Sequence, residues 1–489
     1  MKTLVIQLAR FGDLYQTWPV LRALKSEGHE VHVLCRSKFS GGLKGLDQVD
    51  GIIELDSKDV LRGVLANNNV GESLFVIDDF IETVRKSDFD KVINLSFSPL
   101  SSYLTYELSK GIKEVRGYSR FEDDYLRIDD DASAYFFAQT GPGKANNFGV
   151  TDLFAQVAQV TLSEDDWLTE YVADESKTRP VVVCHLGASQ AKKSFSPKVI
   201  AAAIDEVSNS IDIDVVLIGS KAEEHLASEF FSSSKRSDIS NLVGKTRIEE
   251  LFNVIGNADV LIGADSAPMH IASLVNTQAL NLSCKSVSFR ETGPRSWGSR
   301  VLMFETPSQA SSEKVAVELR SMLNGSSCCY SPVVLAGDAR TYVDVNGKAS
   351  SFEARLINAI YMQSEFPEAD YEVDFEIVKQ LKDANALLLE NLRKIGDQVF
   401  DNQTGLIIGR VESLFSYVEQ NFPRWAPLMS WLSCEKLRVG PADMQQIIVA
   451  NIRIHQILDD ILTHYEEQFA RSKQEGSGRE NRANNAKRN

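Results

Sequence analysis

The segments Gly244-Lys-Thr-Arg-Ile-Glu-Glu-Leu-Phe252 and Val260-Leu-Ile-Gly-Ala-Asp-Ser-Ala-Pro-Met-His270 decide the fold of this chain. The second segment begins with an apolar run typical of a buried strand, turns at Asp265 and Ser266, and reaches Pro268, which is typical of a helix start. Free backbone N–H groups and the positive end of a helix dipole meet at such a junction. The sequence therefore predicts an anion site here, and a phosphate suits it.

A strand, turn and helix of this kind is common in α/β proteins, where it more often only caps a helix. Its companions along the chain change the interpretation, because each is again a strand or a turn followed by polar residues. They are Thr3-Leu-Val-Ile-Gln-Leu8 with Ala9-Arg-Phe-Gly-Asp13, Val181-Val-Val-Cys-His-Leu-Gly-Ala-Ser189 with Lys192-Lys-Ser-Phe195, Val215-Val-Leu-Ile-Gly-Ser220 with Glu223-Glu224, Asn241-Leu-Val-Gly-Lys-Thr246, and Thr292-Gly-Pro294.

In this order and spacing the blocks resemble those of glycosyltransferase family 9, the bacterial ADP-heptose:lipopolysaccharide heptosyltransferases, over residues 1 to about 325. The family's blocks are Gly-Asp before the first helix, His-x-Gly-Ala-Ser with a following Lys-x-aromatic, Gly-Lys-Thr, Asp-Ser-Gly-x-x-His and Thr-Gly-Pro. The resemblance implies the glycosyltransferase B (GT-B) fold, an α/β architecture in which two Rossmann-like domains face a cleft.

Composition is that of a globular protein and argues against nucleic acid as a partner. The 489 residues are 43% hydrophobic and 25% charged, and the formal net charge is −16. No apolar run reaches the roughly 18 to 20 residues of a membrane-spanning helix, and Arg10 and Asp13 interrupt the N-terminal apolar segment before it resembles a secretory signal. We expect a cytoplasmic protein. Location at the inner face of the inner membrane is a possibility that the sequence does not decide.

Four regions follow from the pattern along the chain. Strands alternate with helices in the first two, which indicates parallel sheets. Long helical patterns follow, and the last stretch is polar and basic. The predicted regions are two α/β domains (1–165 and 175–325), a helical extension (335–470) and a disordered tail (471–489). The resemblance implies that the first is a Rossmann-like domain on the acceptor side and that the second is a Rossmann-like domain that binds the nucleotide sugar.

One helical pattern in the extension has a heptad seam. Its members alternate by three and four residues and include a single polar position: Val378, Leu381, Asn385, Leu388, Leu392, Ile395 and Val399. Packing inside a helical bundle is the favoured interpretation, since only three heptads are present. Homo-oligomerisation through these helices is the alternative. The basic tail is interpreted as inert, with peripheral contact to anionic lipid as its alternative.

Asp13 and Lys193 are the predicted catalytic residues. Asp13 matches the family's Gly-Asp, which implies a general base for the acceptor hydroxyl. Aspartate also favours helix caps, so capping of a helix from Leu14 to Lys25 is an alternative that can coexist with catalysis. Lys193 matches the family lysine that neutralises the leaving diphosphate, although Lys192 leaves this assignment open by one position, and a solvated surface lysine is the alternative.

The resemblance also implies a set of donor-binding residues. Glu223 and Glu224 are alternatives for the ribose hydroxyls, and His270 is expected near the leaving group. The set is His185, Gly187, Ser189, Lys192, Glu223, Glu224, Gly244, Lys245, Thr246, Asp265, Ser266, Ala267, Met269, His270, Thr292 and Gly293. Lysine and the helix dipole would neutralise the diphosphate in place of a metal, so neither a metal nor a cofactor is expected beyond the nucleotide-sugar substrate, ADP-heptose.

The chain departs from the family pattern at three places. Ala267 stands where the family has Gly, Phe195 stands where it usually has Trp, and Ser283-Cys-Lys-Ser286 replaces a glycine loop. Lys285 is a candidate for compensating charge in that loop. These differences put the nucleotide contacts and the choice of donor sugar in doubt.

The acceptor is the least determined part. Arg116 and Arg120 are candidates for binding an acceptor that carries phosphates. We expect an inverting, metal-independent transfer of heptose to a hydroxyl of a lipopolysaccharide-core or related glycan. The alternatives are a lipid-linked or protein acceptor, a different nucleotide sugar, and a catalytically weakened scaffold that only binds the nucleotide sugar.

Overall fold

The computed structural model describes residues 1–67, 69–188, 190–325, 334–337, 342–344, 351–396 and 402–486. The chain divides into two compact units. The first comprises Met1–Ser119 and Gly141–Ala349, and the second comprises Arg120–Thr140 and Ser350–Asn489. Within the described residues, no helix is long and apolar enough to cross a membrane.

The first half of the first unit is a five-stranded parallel sheet with helices around it. The elements up to residue 158 are β1 (Lys2–Ile6), α1 (Phe11–Ser26), β2 (Glu30–Arg36), β3 (Gly51–Leu55), α2 (Ser57–Asn67), α3 (Val70–Arg85), β4 (Lys91–Asn94), α4 (Pro99–Leu108), β5 (Glu114–Arg116), β6 (Tyr118–Arg120), β7 (Leu126–Ile128), α5 (Asp131–Gln139) and α6 (Val150–Ala158). Of these, β7 and α5 belong to the second unit. The sheet order is β3-β2-β1-β4-β5, and β6 pairs with β7.

The second half repeats the alternation with a larger sheet. Its elements are β8 (Val181–His185), α7 (Pro197–Ser208), β9 (Asp214–Ile218), α8 (Glu224–Ser233), β10 (Ser240–Asn241), α9 (Glu250–Gly256), β11 (Val260–Ala264), α10 (Ala267–Leu274), β12 (Ala279–Cys284), α11 (Phe289–Thr292), β13 (Arg300–Phe304), α12 (Ser312–Leu323), β14 (Val334–Gly337) and β15 (Tyr342–Asp344). The order is β10-β9-β8-β11-β12-β13-β14-β15, in which β14 and β15 run antiparallel.

Each sheet has a point where the strand order reverses, between β1 and β4 in one and between β8 and β11 in the other. Ligands of α/β sheets bind outside the carboxyl ends of the strands at such points. The apolar runs at β1, β8 and β11 are almost wholly buried, as parallel strands covered on both faces require. Two Rossmann-like halves of this kind are the architecture that the resemblance implies.

Helix α1 is buried on every side along its middle. All eleven residues from Leu14 to Leu24 are buried, including Pro19, because α1 packs against α6 and α10 as well as against its own half. The predicted start at Leu14 was three residues late. Asp13 lies in the first turn, where its Oδ2 accepts a hydrogen bond from the N–H of Arg10 at 3.0 Å, so the helix already begins at Phe11.

The second unit is mainly helical. Its helices beyond α5 are α13 (Phe352–Met362), α14 (Tyr371–Gly396), α15 (Asn402–Asn421), α16 (Ala426–Arg438) and α17 (Met444–Ala486). The core is rich in aromatic rings, and Trp425 packs edge-on against Phe352 and Tyr465. The N–H of the Trp425 indole donates to Asp374, whose carboxylate also accepts from Arg424.

The predicted domain boundaries differ from this division in one important respect. The predicted N-terminal domain (1–165) includes the segment Arg120–Thr140, but the structure joins this segment to the helical unit. Gln139 Nε2 donates to the carbonyl of Pro427 at 3.0 Å, and Arg438 pairs with Asp131 at 2.8 Å. Two side chains of α5 thus have partners some 300 residues away, which local sequence patterns do not show.

The predicted tail also differs. The sequence predicts disorder over 471–489, whereas α17 continues to Ala486. Extending a helix needs no new nucleus, and glutamine, glutamate, arginine and alanine are good helix formers, so the polar composition is compatible with both states.

The heptad seam is buried inside the helical unit. Val378, Leu381, Asn385 and Leu388 of α14 are all at most 1% exposed, and α14 packs along α17. This is the bundle packing that the sequence favours over oligomerisation, and these four positions are not on the surface. Val399 lies outside the described residues. Asn385 exchanges two hydrogen bonds with His455 of α17, one from Asn385 Nδ2 to the His455 carbonyl at 2.9 Å and one between Asn385 Oδ1 and His455 Nδ1 at 2.6 Å.

His455 makes the helical unit sensitive to acid. Burial, with a smaller contribution from Lys436, lowers the pKa of His455 to about 3, compared with roughly 6.5 for an unfolded histidine. Below pH 6.5 the unfolded chain therefore binds a proton that the folded chain does not bind. Above pH 6.5 His455 does not change the free energy of unfolding. As the pH falls from 6.5 toward 3, this free energy decreases by roughly 1 kcal/mol per pH unit.

We therefore expect the free energy of unfolding to fall less steeply between pH 7 and pH 5 in His455→Gln than in wild type, because glutamine takes up no proton. Urea unfolding of the full chain at several pH values measures this difference. The same slope for both proteins would show that His455 does not control the acid response.

Candidate active site

A cavity of about 530 Å3 lies between the two Rossmann-like halves of the first unit, at the reversal points of both sheets. Its volume is in the usual range for small-molecule sites. From the first half it is lined by the start of α1 and by Phe39. From the second half it is lined by His185, Ala188, Lys193, Ile218, Gly219, Ser220, Glu223, Thr246, Ile248, Leu251, Asp265, Ser266, Ala267, Pro268, His270 and Thr292.

Lys193 and Asp265 form an ion pair in this cavity. Lys193 Nζ lies 2.7 Å from Asp265 Oδ2, and both side chains are largely buried. Asp265 follows β11, and Ser266 is the N-cap residue of α10, with Pro268 at the start of the helix. The first N–H groups of a helix have no acceptor within it. The ammonium group and the start of α10 therefore supply positive charge at one end of the cavity.

His185 connects two further polar groups. It is the last residue of β8, its Nδ1 lies 3.0 Å from Ser266 Oγ, and its Nε2 lies 3.6 Å from Glu223 Oε1. Glu223 Oε2 accepts hydrogen bonds from the N–H and the hydroxyl of Ser220, at 2.6 and 2.8 Å. Burial acts to raise the pKa of Glu223, but His185 and Ser220 outweigh it and lower the pKa to about 2. Glu223 is therefore an ionised hydrogen-bond acceptor at neutral pH.

Two glycines make room for this carboxylate. A methyl group added at Gly187 would lie 1.5 Å from Glu223 Oε1, and one added at Gly219 would lie 3.0 Å from Oε2. Contacts as close as the first do not occur between atoms that are not bonded. The glycine in the turn after β8 is thus required by the position of Glu223, which gives Gly187 a supporting role next to the cavity.

His270 is held in its neutral form. It is buried in α10, and burial lowers its pKa; Lys193 acts in the same direction, whereas Asp265 and Asp13 oppose it. A methyl group added at Gly12 would lie 3.1 Å from His270 Cδ2 and 3.2 Å from Nε2. The absence of a side chain at Gly12 therefore allows the first turn of α1 to approach His270 closely.

Ten of the predicted catalytic and donor-binding residues line the cavity: Asp13, His185, Lys193, Glu223, Thr246, Asp265, Ser266, Ala267, His270 and Thr292. For both pairs that the sequence leaves open, one member lines the cavity. Lys193 lines the cavity and Lys192 does not. Glu223 lines the cavity, whereas Glu224 Oε1 lies next to Gly244. Ser189 lies outside the described residues.

Other predicted residues lie elsewhere. Lys245 donates to the carbonyl of Asn241 at 2.8 Å, and the N–H of Met269, which is among the predicted donor-binding residues, donates to the carbonyl of Ser266 at 3.0 Å. Met269 is fully buried because it packs over Gly263 in the sheet. Gly293 lines a small neighbouring cavity, and Lys285 pairs with Glu305 at 2.7 Å.

The two arginines predicted to bind the acceptor do not line the cavity. Arg116 donates to Gln159 Oε1 at 2.7 Å, and Arg120, which belongs to the second unit, donates to the carbonyl of Asp124 at 2.8 Å. Phe195, which replaces the family's tryptophan, packs in the core against Phe304.

Several cavity residues carry no motif that would identify them in the sequence. Arg10 and Phe11 adjoin the Gly-Asp block, and Ile248 and Leu251 follow Gly-Lys-Thr, but Gln16 and Phe39 are brought in only by the packing of the fold. Phe39 meets Phe11 edge-on, with ring centroids 5.1 Å apart.

Glu291 is a further buried carboxyl group that the sequence does not identify. It adjoins the Thr-Gly-Pro block and accepts hydrogen bonds from the N–H of Gly141 at 2.9 Å and from Asn146 at 3.2 Å. Burial raises the pKa of Glu291 despite these bonds. Together with the ion pair between Arg295 and Asp152 at 2.7 Å, it connects α11 and the following loop to the segment 141–152.

Residues 77–318 match the family described as glycosyltransferase family 9 (heptosyltransferase). The chain belongs to glycosyltransferase family 9. It is therefore a glycosyltransferase, as the sequence predicts. The matched segment includes the cavity residues of the second half but not Asp13, whose assignment depends on its position in the cavity.

Two relatives of this family 9 chain are lipopolysaccharide heptosyltransferases. Lipopolysaccharide heptosyltransferase 1 of Campylobacter coli is 24% identical over 309 residues, which cover 59% of this chain and 86% of the relative. Lipopolysaccharide heptosyltransferase 3 of Escherichia coli (strain K12) is 25% identical over 283 residues, 55% of this chain and 79% of the relative.

Solved structures confirm the GT-B fold. The family 9 glycosyltransferase of Veillonella parvula DSM 2008 has a TM-score of 0.50 and 18% identity, and covers 66% of this chain and 97% of its own. The E. coli heptosyltransferase WaaC with ADP also has a TM-score of 0.50, with 14% identity, and covers 66% of this chain and 100% of its own.

The position of Glu223 generates a prediction for the nucleotide site. In Gly187→Ala the new methyl group must displace the Glu223 carboxylate, so we expect nucleotide-sugar affinity to fall at least tenfold while the protein remains folded. Isothermal titration calorimetry with a thermal melt measures both quantities. In the control Gly409→Ala the methyl group meets nothing within 4 Å, and affinity should be unchanged. If Gly187→Ala and wild type bind the nucleotide sugar with equal affinity, Glu223 does not contribute to nucleotide binding.

Proposed function

We propose that this family 9 enzyme transfers heptose from ADP-heptose to a hydroxyl of a lipopolysaccharide-core or related glycan, with inversion and without a metal. The observation that carries the proposal is one cavity lined by Asp13, by the Lys193–Asp265 pair and by the start of α10. The names of the two relatives support heptose as the sugar and lipopolysaccharide as the acceptor class.

The donor's nucleoside is assigned to the side of the cavity near Glu223. An ionised carboxylate there accepts hydrogen bonds from the two ribose hydroxyls, and the apolar side chains Ile218, Ile248 and Leu251 suit a base. The diphosphate is assigned to Lys193 and to the N–H of Ala267 at the start of α10, because Pro268 has no N–H and the N–H of Met269 donates to Ser266. Lys193 has three donors, so it can bind a phosphate oxygen while it keeps its bond to Asp265.

The proposed chemistry is a direct displacement. The Asp13 carboxylate accepts the proton of the acceptor hydroxyl as that oxygen forms a bond to the anomeric carbon. The bond from the anomeric carbon to the diphosphate oxygen breaks, and its electron pair leaves with the nucleoside diphosphate. Lys193 and the α10 dipole stabilise this charge in a partly buried site, where fixed charges are more effective than in water. Neutral His270 can donate one hydrogen bond nearby.

The acceptor remains the open part of the proposal. A protein acceptor or another glycan would use the same base and leaving-group sites, and a lipid-linked acceptor would require work at the inner face of the inner membrane. Ala267 and the Ser283–Ser286 loop motivate the alternative of a different sugar nucleotide. The assignment to a transferase family disfavours a pure binding scaffold.

The first test is calorimetry of the full chain with ADP-heptose, ADP-glucose, and UDP- and GDP-sugars. Selective binding of ADP-heptose is the expected result, because the relatives are heptosyltransferases. Selective binding of another nucleotide sugar would change the donor and keep the enzyme class, whereas no binding of any would overturn the assignment of the cavity.

Asp13→Asn should lower the transfer rate by roughly a hundredfold to ten-thousandfold, the usual range for loss of a general base. The asparagine oxygen can still accept from the Arg10 N–H, so donor affinity and melting temperature should stay near wild type. Asp13→Ala should lose the same activity and also about 1 kcal/mol of stability, because it removes the capping bond. Full activity in Asp13→Asn would leave Asp13 with a capping role only.

Lys193→Ala should weaken donor binding by roughly ten- to a hundredfold, since a hydrogen bond to a charged group is worth about 1.5–3 kcal/mol. Activity should fall in proportion. Lys192→Ala is the matched control, because Lys192 does not line the cavity, and its affinity should equal that of wild type. Weaker donor binding in Lys192→Ala than in Lys193→Ala would assign the phosphate contact to Lys192 instead.

A further inference from the structure

Gln16 is a largely buried residue whose side-chain amide is not used within the described part of the chain. It is only 7% exposed, and its side chain makes no hydrogen bond to any described residue, although it lines the active-site cavity. Gln7, which is also buried, donates to Thr17 Oγ1 at 3.2 Å and to the Leu95 carbonyl at 3.1 Å. Gln16 thus differs from Gln7 in that its amide, on the wall of the cavity, keeps its donors and its acceptor for a ligand.

The position of Gln16 on α1 directs it toward the reacting groups. It follows Asp13 by three residues and Gly12 by four, and residues with these spacings share one face of a helix. Gly12 is the residue that approaches His270, so this face of α1 is turned toward α10. Gln16 is therefore beside the predicted base on a helix that is fixed along its whole middle.

A second, much smaller cavity adjoins the first at Gln16 and His270. Its volume of about 10 Å3 is near the minimum that holds one water molecule. Its lining includes Tyr15, whose hydroxyl is buried without a partner, and Glu291. Space and unsatisfied polar groups thus coincide on the α1 side of the active site.

We propose that Gln16 binds a hydroxyl group of the substrate and so positions it beside Asp13. A primary amide both donates and accepts hydrogen bonds, which matches a hydroxyl, whereas a phosphate oxygen only accepts. The inference depends on the proposed function, since it assigns a sugar-bearing ligand to this cavity. The hydroxyl belongs either to the transferred sugar or to the acceptor, and the two sources give different measurements.

The test compares wild type with Gln16→Met, which has a similar shape and no amide. Because no hydrogen bond is lost, the melting temperature of the free variant should be equal to or above that of wild type. If the hydroxyl is on the transferred sugar, the Kd for ADP-heptose rises roughly three- to tenfold while the Kd for ADP stays constant. If it is on the acceptor, both Kd values stay constant and the KM for the acceptor rises by a similar factor.

Two further variants separate binding from packing. Gln16→Asn keeps the amide but leaves a gap, so a binding role predicts a smaller loss of affinity than in Gln16→Met and a packing role predicts a lower melting temperature without a change in affinity. Gln139→Met is the control in the helical unit. The Gln139 amide donates to Pro427, so its loss should lower the melting temperature and leave the kinetics unchanged.

Unchanged Kd and KM values in Gln16→Met would overturn the inference and make Gln16 a packing residue. Failure of wild type to bind either ADP or ADP-heptose would instead overturn the proposed donor. The same comparison would then be made with whichever sugar nucleotide and nucleoside diphosphate do bind, so the two failures are distinguishable.

Discussion

The contact between the first turn of α1 and α10 is the constraint on which the active site depends. Gly12 has no side chain, and His270 fills the space that one would occupy. Helix α1 is part of the first Rossmann-like half and α10 is part of the second. The burial of α1 from Leu14 to Leu24 fixes the position of α1 relative to α10. The proposed base on one helix and the proposed phosphate site on the other therefore line one cavity.

Three carboxylates share this cavity and would repel one another if they were left alone. Each is given a donor from a different source: Asp13 accepts from the Arg10 N–H, Asp265 pairs with Lys193, and Glu223 accepts from Ser220 beside His185. The cost of collecting negative charge in a partly buried site is thus offset group by group. The same contacts fix the direction of each oxygen, which matters more for catalysis than the charge itself.

Much of the fold and half of the site follow from the sequence, because parallel strands end in short turns that keep a fixed order. The blocks around His185, Asp265 and Thr292 come from such turns, and the family and fold that they indicate are confirmed. Lys193 could not be separated from Lys192, nor Glu223 from Glu224, because adjacent residues differ only in direction. Gln16 and Phe39 belong to the site through packing between distant segments, which no local pattern records. The composition of residues 471–489 suits an extended helix as well as disorder, so the sequence does not distinguish these two states.

The division of the chain has a consequence for how the protein is made. The segment Arg120–Thr140 leaves the ribosome about 210 residues before Ser350, where the rest of its unit begins. At roughly 5 to 20 residues per second, this segment waits on the order of ten to forty seconds for the helices that cover it. During that time Ala134 and Tyr135, buried in the finished protein, have no cover. The helices that bury this early segment are thus synthesised last. A nascent protein that ends before Ser350 exposes an apolar surface to chaperones and to other chains.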